Sequence, residues 1–222
     1  MRAPVFSGHG KDGTVRYPSE PEKEPIVRIG TIGAGTVARH ALPSGHQVML
    51  SNRRGPAALA ELIEQLGPAA TAATPAQAAS AEVVVLAVAW PDIPTAVGGL
   101  PDWDGRVVID TTNQFLSRPP PARIADLGEV TGSEYVASLL PGARVVKAFN
   151  TLHGRYIAAD PVHDAGRQLL FLAGDDPSAK TQVADMAAAW GFAPVDLGTL
   201  REGGRLMQLG GPLSGLHALK QD

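Results

Sequence analysis

A chain of 222 residues has room for one large domain with a substantial core, and the absence of cysteine excludes disulfides, thiolate catalysis and cysteine-held metal. With 44% hydrophobic and 18% charged residues, the composition is that of an ordinary soluble globular protein. A formal charge of −3 excludes a long-range pull toward nucleic acid or an anionic bilayer, so neither is an expected partner.

Residues 1–24 set Arg2, Lys11, Arg16 and Lys23 against Asp12, Glu20, Glu22 and Glu24, with Gly8, Gly10, Gly13, Pro18 and Pro21 scattered among them. They lack the apolar core of a signal peptide and read as a disordered extension, or as residues ahead of a later start. One domain is then expected over 25–222. From Pro25 onward, short β-branched runs alternate with Ala-rich helical stretches. Strands are expected at 26–32, 47–50, 82–89, 106–110, 143–149, 168–173 and 193–197. Several are nearly continuous apolar runs, as parallel strands covered on both faces require. The longest apolar stretch, at 82–90, is far too short to cross a bilayer, and a cytoplasmic location is expected.

Helix signals fall between the strands. Pro56 precedes an expected helix over 57–66 that Gly67 ends. Thr74 and Gln77 have the spacing of a capping box. Ser133 is placed to cap a helix over 134–140, and Asp176-Pro177 opens one over 178–190. This alternation predicts an α/β fold with a Rossmann-like, doubly wound, mostly parallel sheet.

The first strand runs into Gly33-Ala34-Gly35-Thr36-Val37-Ala38, a G-x-G-x-x-A pattern. Gly33 permits the tight turn, Gly35 lets a pyrophosphate approach the backbone, and Ala38 replaces the third glycine where helix meets sheet. The pattern alone is weak in a chain with 25 glycines; its place after a strand and before a helix makes it a dinucleotide site. Pro43-Ser44 interrupts the helix early, so a helix about one turn short is expected, since a turn takes about 3.6 residues.

After the second strand come Ser51-Asn52-Arg53-Arg54. An NAD site would place Asp or Glu near here for the ribose hydroxyls, whereas the next acidic residue is Glu61, inside the expected helix. Two guanidiniums beside neutral polar groups suit a 2′-phosphate, so NADP(H) is the expected cofactor.

With these pieces in place, the chain resembles the F420-dependent NADP oxidoreductase family, whose nucleotide domain is shared with STEAP-type metalloreductases. The likeness rests on 33–38, Gly45-His46-Gln47-Val48, 51–56, 107–113, Val145-Val146-Lys147-Ala148-Phe149-Asn150-Thr151, Ala173-Gly174-Asp175-Asp176 and Gly210-Gly211-Pro212-Leu213. The resemblance implies NADPH laid across the strand C-termini, with its nicotinamide meeting coenzyme F420 or a flavin as small-molecule redox acceptor. It implies Ala89, Trp90 and Pro91 near the nicotinamide, and Asn150, Thr151 and Arg205-Leu206-Met207-Gln208 facing the acceptor. A homodimer is a further expectation of the same kind. Phe149-Asn150-Thr151 is nearer the STEAP-like form than the Leu-His-Thr of the F420 enzymes, which weakens F420 as the specific acceptor.

Hydride transfer between a nicotinamide and a flavin-like ring needs no obligatory side-chain acid or base, so the absence of a catalytic triad is compatible with it. Trp90, Asn150 and His153 are the candidate positioning residues, and Asn113 ends a strand on the cofactor side. For Trp90, Asn113, Met207 and His153, core packing, a strand-ending turn or an exposed loop are bland alternatives of comparable weight. His163 and His217 have no partner at metal-ligand spacing, and no metal is expected. Two other functions fit the same residues: a non-catalytic NADP-binding sensor, and an NADPH-dependent reductase of small imine or carbonyl substrates with His153 as proton donor.

Overall fold

The computed structural model of the chain describes residues 26–33, 35–117 and 121–221; the extension expected over 1–24 and the loop residue Ala34 lie outside them. The nucleotide-binding half opens with β1 (Arg28–Gly33), α1 (Ala38–Ala41) and β2 (Gln47–Ser51). A 3₁₀ turn (Pro56–Leu59) then leads into α2 (Ala60–Leu66), β3 (Ala70–Ala72), α3 (Pro75–Ala79) and β4 (Val83–Ala87). A second 3₁₀ turn (Trp90–Asp92) precedes α4 (Ile93–Val97), β5 (Val107–Asp110) and the hairpin of β6 (Phe115–Ser117) and β7 (Arg123–Ile124). The remainder is α5 (Gly132–Ser138), β8 (Arg144–Ala148), α6 (Gly154–Ile157), β9 (Val162–His163), β10 (Gly166–Gly174), α7 (Pro177–Ala189), β11 (Ala193–Asp196), α8 (Glu202–Met207) and β12 (Leu219–Lys220).

The strands lie in the order β11-β10-β8-β5-β4-β1-β2-β3. Those from β3 to β8 pair in parallel, which is the doubly wound order with its reversal between β1 and β4. β10 then turns antiparallel to β8 and carries β11 parallel to itself. The sheet is therefore mostly parallel, as its apolar strands predict. Alternate residues feed two cores on opposite faces. Val83, Val85 and Ile109 pack with α7 on one, and Val84, Leu86 and Val108 pack with α3, α4 and α5 on the other.

Side-chain caps open four of the eight α-helices described. Thr74 and Gln77 form the expected capping box. Asp176 accepts from the Ala179 N–H at 2.7 Å and opens α7. The expected cap at Ser133 is corrected. Thr131 is the N-cap of α5, in a capping box with Glu134, because its hydroxyl sits three residues ahead of that glutamate. Ser133 lies buried inside the helix, and its hydroxyl has no partner among the described residues. The first crossover helix is short, as its early Pro43-Ser44 predicts: α1 spans four residues and gives way to a turn closed by the Gly45 N–H on Leu42.

One feature of the sheet went unread in the sequence. Asp110 and Lys147 face each other in register on β5 and β8, both buried, with Nζ 3.0 Å from Oδ2. Lys147 also donates to the Thr112 carbonyl, and the other Asp110 oxygen accepts from the Thr112 N–H at 2.8 Å and its hydroxyl at 2.7 Å. Burial pushes the Lys147 ammonium below the usual lysine range, and the Asp110 carboxylate opposes that shift. Removing one partner strands the other charge in the interior, at a cost of about 3–5 kcal/mol. Lys147→Met is expected to lower unfolding stability by about that amount, and Asp110→Asn with Lys147→Met together by clearly less than the two single changes added. Urea unfolding of the three variants measures both; strict additivity would contradict a direct pairing.

Candidate functional site

The site is built where β1 and β4 diverge, at the carboxyl ends of the parallel strands. Gly33 ends β1 with φ at 106°, and a Cβ placed there would lie 2.3 Å from the Ala87 carbonyl oxygen at the end of β4. No side chain fits that approach. Gly30, inside the same strand, is pressed equally hard by α3, since its Cβ would lie 1.9 Å from the Ala78 oxygen. A Cβ on Gly35 would meet only the Leu50 side chain, at 3.0 Å.

Two cavities flank this point. The larger, of about 760 Å³, is lined by Thr36 and Val37 of the glycine loop, Trp90 and Pro91, Thr111–Asn113, Phe115–Ser117 of the hairpin, and Asn150, Leu152 and Ile157. The smaller, of about 550 Å³, is lined by Gly33, Asn52, Arg53, Pro75, Asp92, Thr95 and Leu100. Val88 and Ala89 belong to both. The two share part of their walls, with the Arg53 guanidinium lining one and the Asn113 and Asn150 amides lining the other.

At the guanidinium end, the four expected residues separate. Arg53 lines the smaller cavity, largely exposed, 3.8 Å from the Asp92 carboxylate. Asn52 lines it too, and its side-chain oxygen accepts from the Arg54 N–H at 2.8 Å, which shapes the turn after β2. Arg54 is exposed and lines neither cavity. Ser51 requires correction as a cofactor contact: it is fully buried, and its hydroxyl donates to the Thr31 carbonyl at 2.8 Å, pinning β2 to β1. Asp92 was not anticipated. It follows Trp90-Pro91 on the 3₁₀ turn, and only the folded chain brings it to Arg53.

At the other end, three loops are tied together through Asn150. Its Nδ2 donates to the Met207 carbonyl at 2.8 Å and to Asn113 Oδ1 at 3.3 Å, while Asn113 Nδ2 donates to the Asn150 carbonyl at 2.8 Å. Phe149, just before it, holds φ at 63°, a left-handed conformation costly for a bulky side chain. The Asp110–Lys147 pair fixes Thr112 in the same wall. Trp90 is buried, tilts against Tyr135 at 5.3 Å between centroids, and walls the larger cavity while packing into the core.

Two expectations on the acceptor side are corrected. His153 lines neither cavity; it is exposed and caps α6, accepting from the Arg155 N–H at 3.3 Å. The Arg205–Gln208 stretch does not line them either. Arg205 pairs with Glu129, Met207 is core, and Gln208 holds Gln114 at 3.0 Å. The stretch acts through the Met207 carbonyl that orients Asn150. Among the described residues, no group of three or more His, Asp or Glu side chains could hold a metal, and no helix is long and apolar enough to cross a membrane.

The geometry fits a dinucleotide: a close backbone approach that any Cβ would block, flanked by cavities on both sides. Comparison with known proteins agrees. Residues 28–114 match the family model described as NADP oxidoreductase, coenzyme F420-dependent. Rat metalloreductase STEAP3 is 30% identical over 90% of this chain, which spans 39% of that relative's length. A hypothetical protein of known structure from Sinorhizobium meliloti is 37% identical, with a TM-score of 0.80 over 90% of this chain and 98% of its own. A protein from Arthrobacter sp. FB24 assigned as an F420-dependent NADP reductase is 26% identical, with a TM-score of 0.67 over 78% of this chain and 86% of its own. Over residues 28–114 the chain is similar to the F420-dependent NADP oxidoreductase family, and its fold is shared with structures of that kind.

Proposed function

We propose that this protein is a cytoplasmic reductase that transfers hydride between NADPH and a flavin or deazaflavin ring. The observation that carries the reading is the pair of neighbouring cavities that have Val88 and Ala89 in common in their walls, one marked by Arg53 and the other by Asn113 and Asn150. Arg53 and Asn52 are assigned to the adenosine 2′-phosphate end. Thr36 and Val37, which line the larger cavity, are assigned to the diphosphate. Because α1 is only four residues long, the diphosphate is assigned to backbone N–H groups rather than to a long helix dipole.

NADPH, when bound, would supply a hydride that a flavin or deazaflavin ring can accept with no side-chain acid or base. The work left to the protein is orientation and exclusion of water. Trp90, Pro91, Phe115 and Leu116 offer apolar surface against which rings can lie. The Asn113–Asn150 wall is held rigid from behind by Met207 and by the Asp110–Lys147 pair. Rigid placement of donor carbon and acceptor atom at roughly 3–3.5 Å is what such a site can contribute to rate. His153 is not among the residues lining either cavity, which supports the flavin or deazaflavin reading over imine or carbonyl reduction.

Arg53→Ala is expected to raise the KM for NADPH about tenfold and leave that for NADH nearly unchanged, with Arg54→Ala doing clearly less. Steady-state kinetics with both cofactors decides this; equal effects on the two cofactors would count against a 2′-phosphate contact. Asp92→Asn removes a carboxylate from beside that phosphate and should lower the KM for NADPH roughly threefold at low salt, an effect that fades as salt rises. For the acceptor, NADPH absorbance is followed with FMN, coenzyme F420 and a cyclic imine offered separately. Oxidation with FMN or F420 is the expected result, and tight NADPH binding without oxidation by any of them would favour a sensor.

A further inference from the structure

We infer that Arg155 receives a phosphate carried on the acceptor's side chain, and so selects a phosphorylated flavin or deazaflavin over the bare ring; the inference rests on the acceptor reading above. Gly154 and Ile157, which flank it in α6, both line the larger cavity. Arg155 itself is exposed and does not line it, which puts the side chain at the rim. The described residues lining that cavity bring no charged side chain, so a phosphate on the acceptor finds no partner among them. A flavin carries its phosphate at the far end of the ribityl chain, and a ring seated inside leaves that end at the rim.

The Arg155 guanidinium is held in place with its charge uncompensated. Among the described residues no carboxylate pairs with it, whereas Arg28, Arg53, Arg144, Arg201 and Arg205 each face one. It stands over the Tyr156 ring, 4.7 Å from the centroid, and donates to the Tyr156 hydroxyl at 2.9 Å. His217 stacks on the same ring, at 3.9 Å between centroids and 14° between planes. His217 Nε2 lies in turn 3.1 Å from Oε1 of Gln168, which is fully buried in β10. This column ties the guanidinium back to the sheet. Capturing an anion normally costs an arginine its rotamer freedom, and here the stack has already restricted it. The N–H donors that Tyr156 does not use remain free for bidentate contact with phosphate oxygens.

Quenching of flavin fluorescence tests this without turnover. FMN is compared with riboflavin, and coenzyme F420 with the deazaflavin that lacks its phosphate ester. Saturating NADP+ is present throughout, so the phosphates of the dinucleotide are already seated. In the pair that it accepts, the wild type should bind the phosphorylated member about tenfold more tightly. Arg155→Leu should bind the two members within about twofold of each other, with affinity for the unphosphorylated one unchanged. Arg155→Lys should keep part of the preference, and Arg123→Leu, which removes another exposed arginine, should keep all of it. Equal wild-type affinities within the pair overturn the inference and leave the acceptor reading standing, whether or not the leucine variant folds. A preference that survives in Arg155→Leu, or is lost equally in Arg123→Leu, overturns it as well. Binding of no member of either pair by the wild type would instead overturn the acceptor reading on which it rests.

Discussion

Everything in this molecule turns on the approach of Gly33 to the Ala87 carbonyl. Parallel strands β1 and β4 part there, and their crossovers run to opposite sides of the sheet. With any side chain at position 33 the two strand ends could not close up, and the loop above them would be displaced. With glycine, the backbone turns out of the sheet at positive φ and leaves a cavity on either side that shares Val88 and Ala89. A dinucleotide matches that shape because its two nucleosides diverge from one diphosphate.

The larger cavity is stiffened by polar groups placed against their solvation preference. Asp110 and Lys147 are buried as ions, Phe149 is left-handed, and the Asn150 oxygen is unpartnered. Each is unfavourable in isolation. Together they hold Thr112, Asn113 and Asn150, from two neighbouring strand ends, in one wall. Pre-positioned polar groups of this kind suit a reaction in which the protein orients two rings and supplies no proton.

The sheet was legible because its strands are continuous apolar runs, and the crossover order followed from their alternation with helices. The glycine loop and Arg53 were legible from their offset within the βαβ unit. Other features were hidden for identifiable reasons. β3 sits within an Ala-rich stretch that has no β-branched signature beyond Thr71, and the β6–β7 strands are too short to show a period. Asp110 and Lys147 did leave a signal, Asp110 as the one charge ending β5 and Lys147 as a charge between apolar neighbours in β8, and reading them as partners required only the parallel register. Ser51 and His153 were misread because their chemical types suit a ligand, whereas the backbone nearby claims their polar atoms first. The Thr131–Glu134 box was present in the sequence but overshadowed by the neighbouring serine. Nothing in the residue type announced Phe149, since left-handed backbone is normally the province of Gly or Asn.

A crystal structure of the protein grown with NADP+ addresses the central claim most directly. The account predicts the 2′-phosphate beside Arg53, the diphosphate under the loop after Gly33, and the pyridine ring between Trp90 and the Asn113–Asn150 wall. A dinucleotide bound elsewhere, or running with its pyridine toward Arg53, would contradict it.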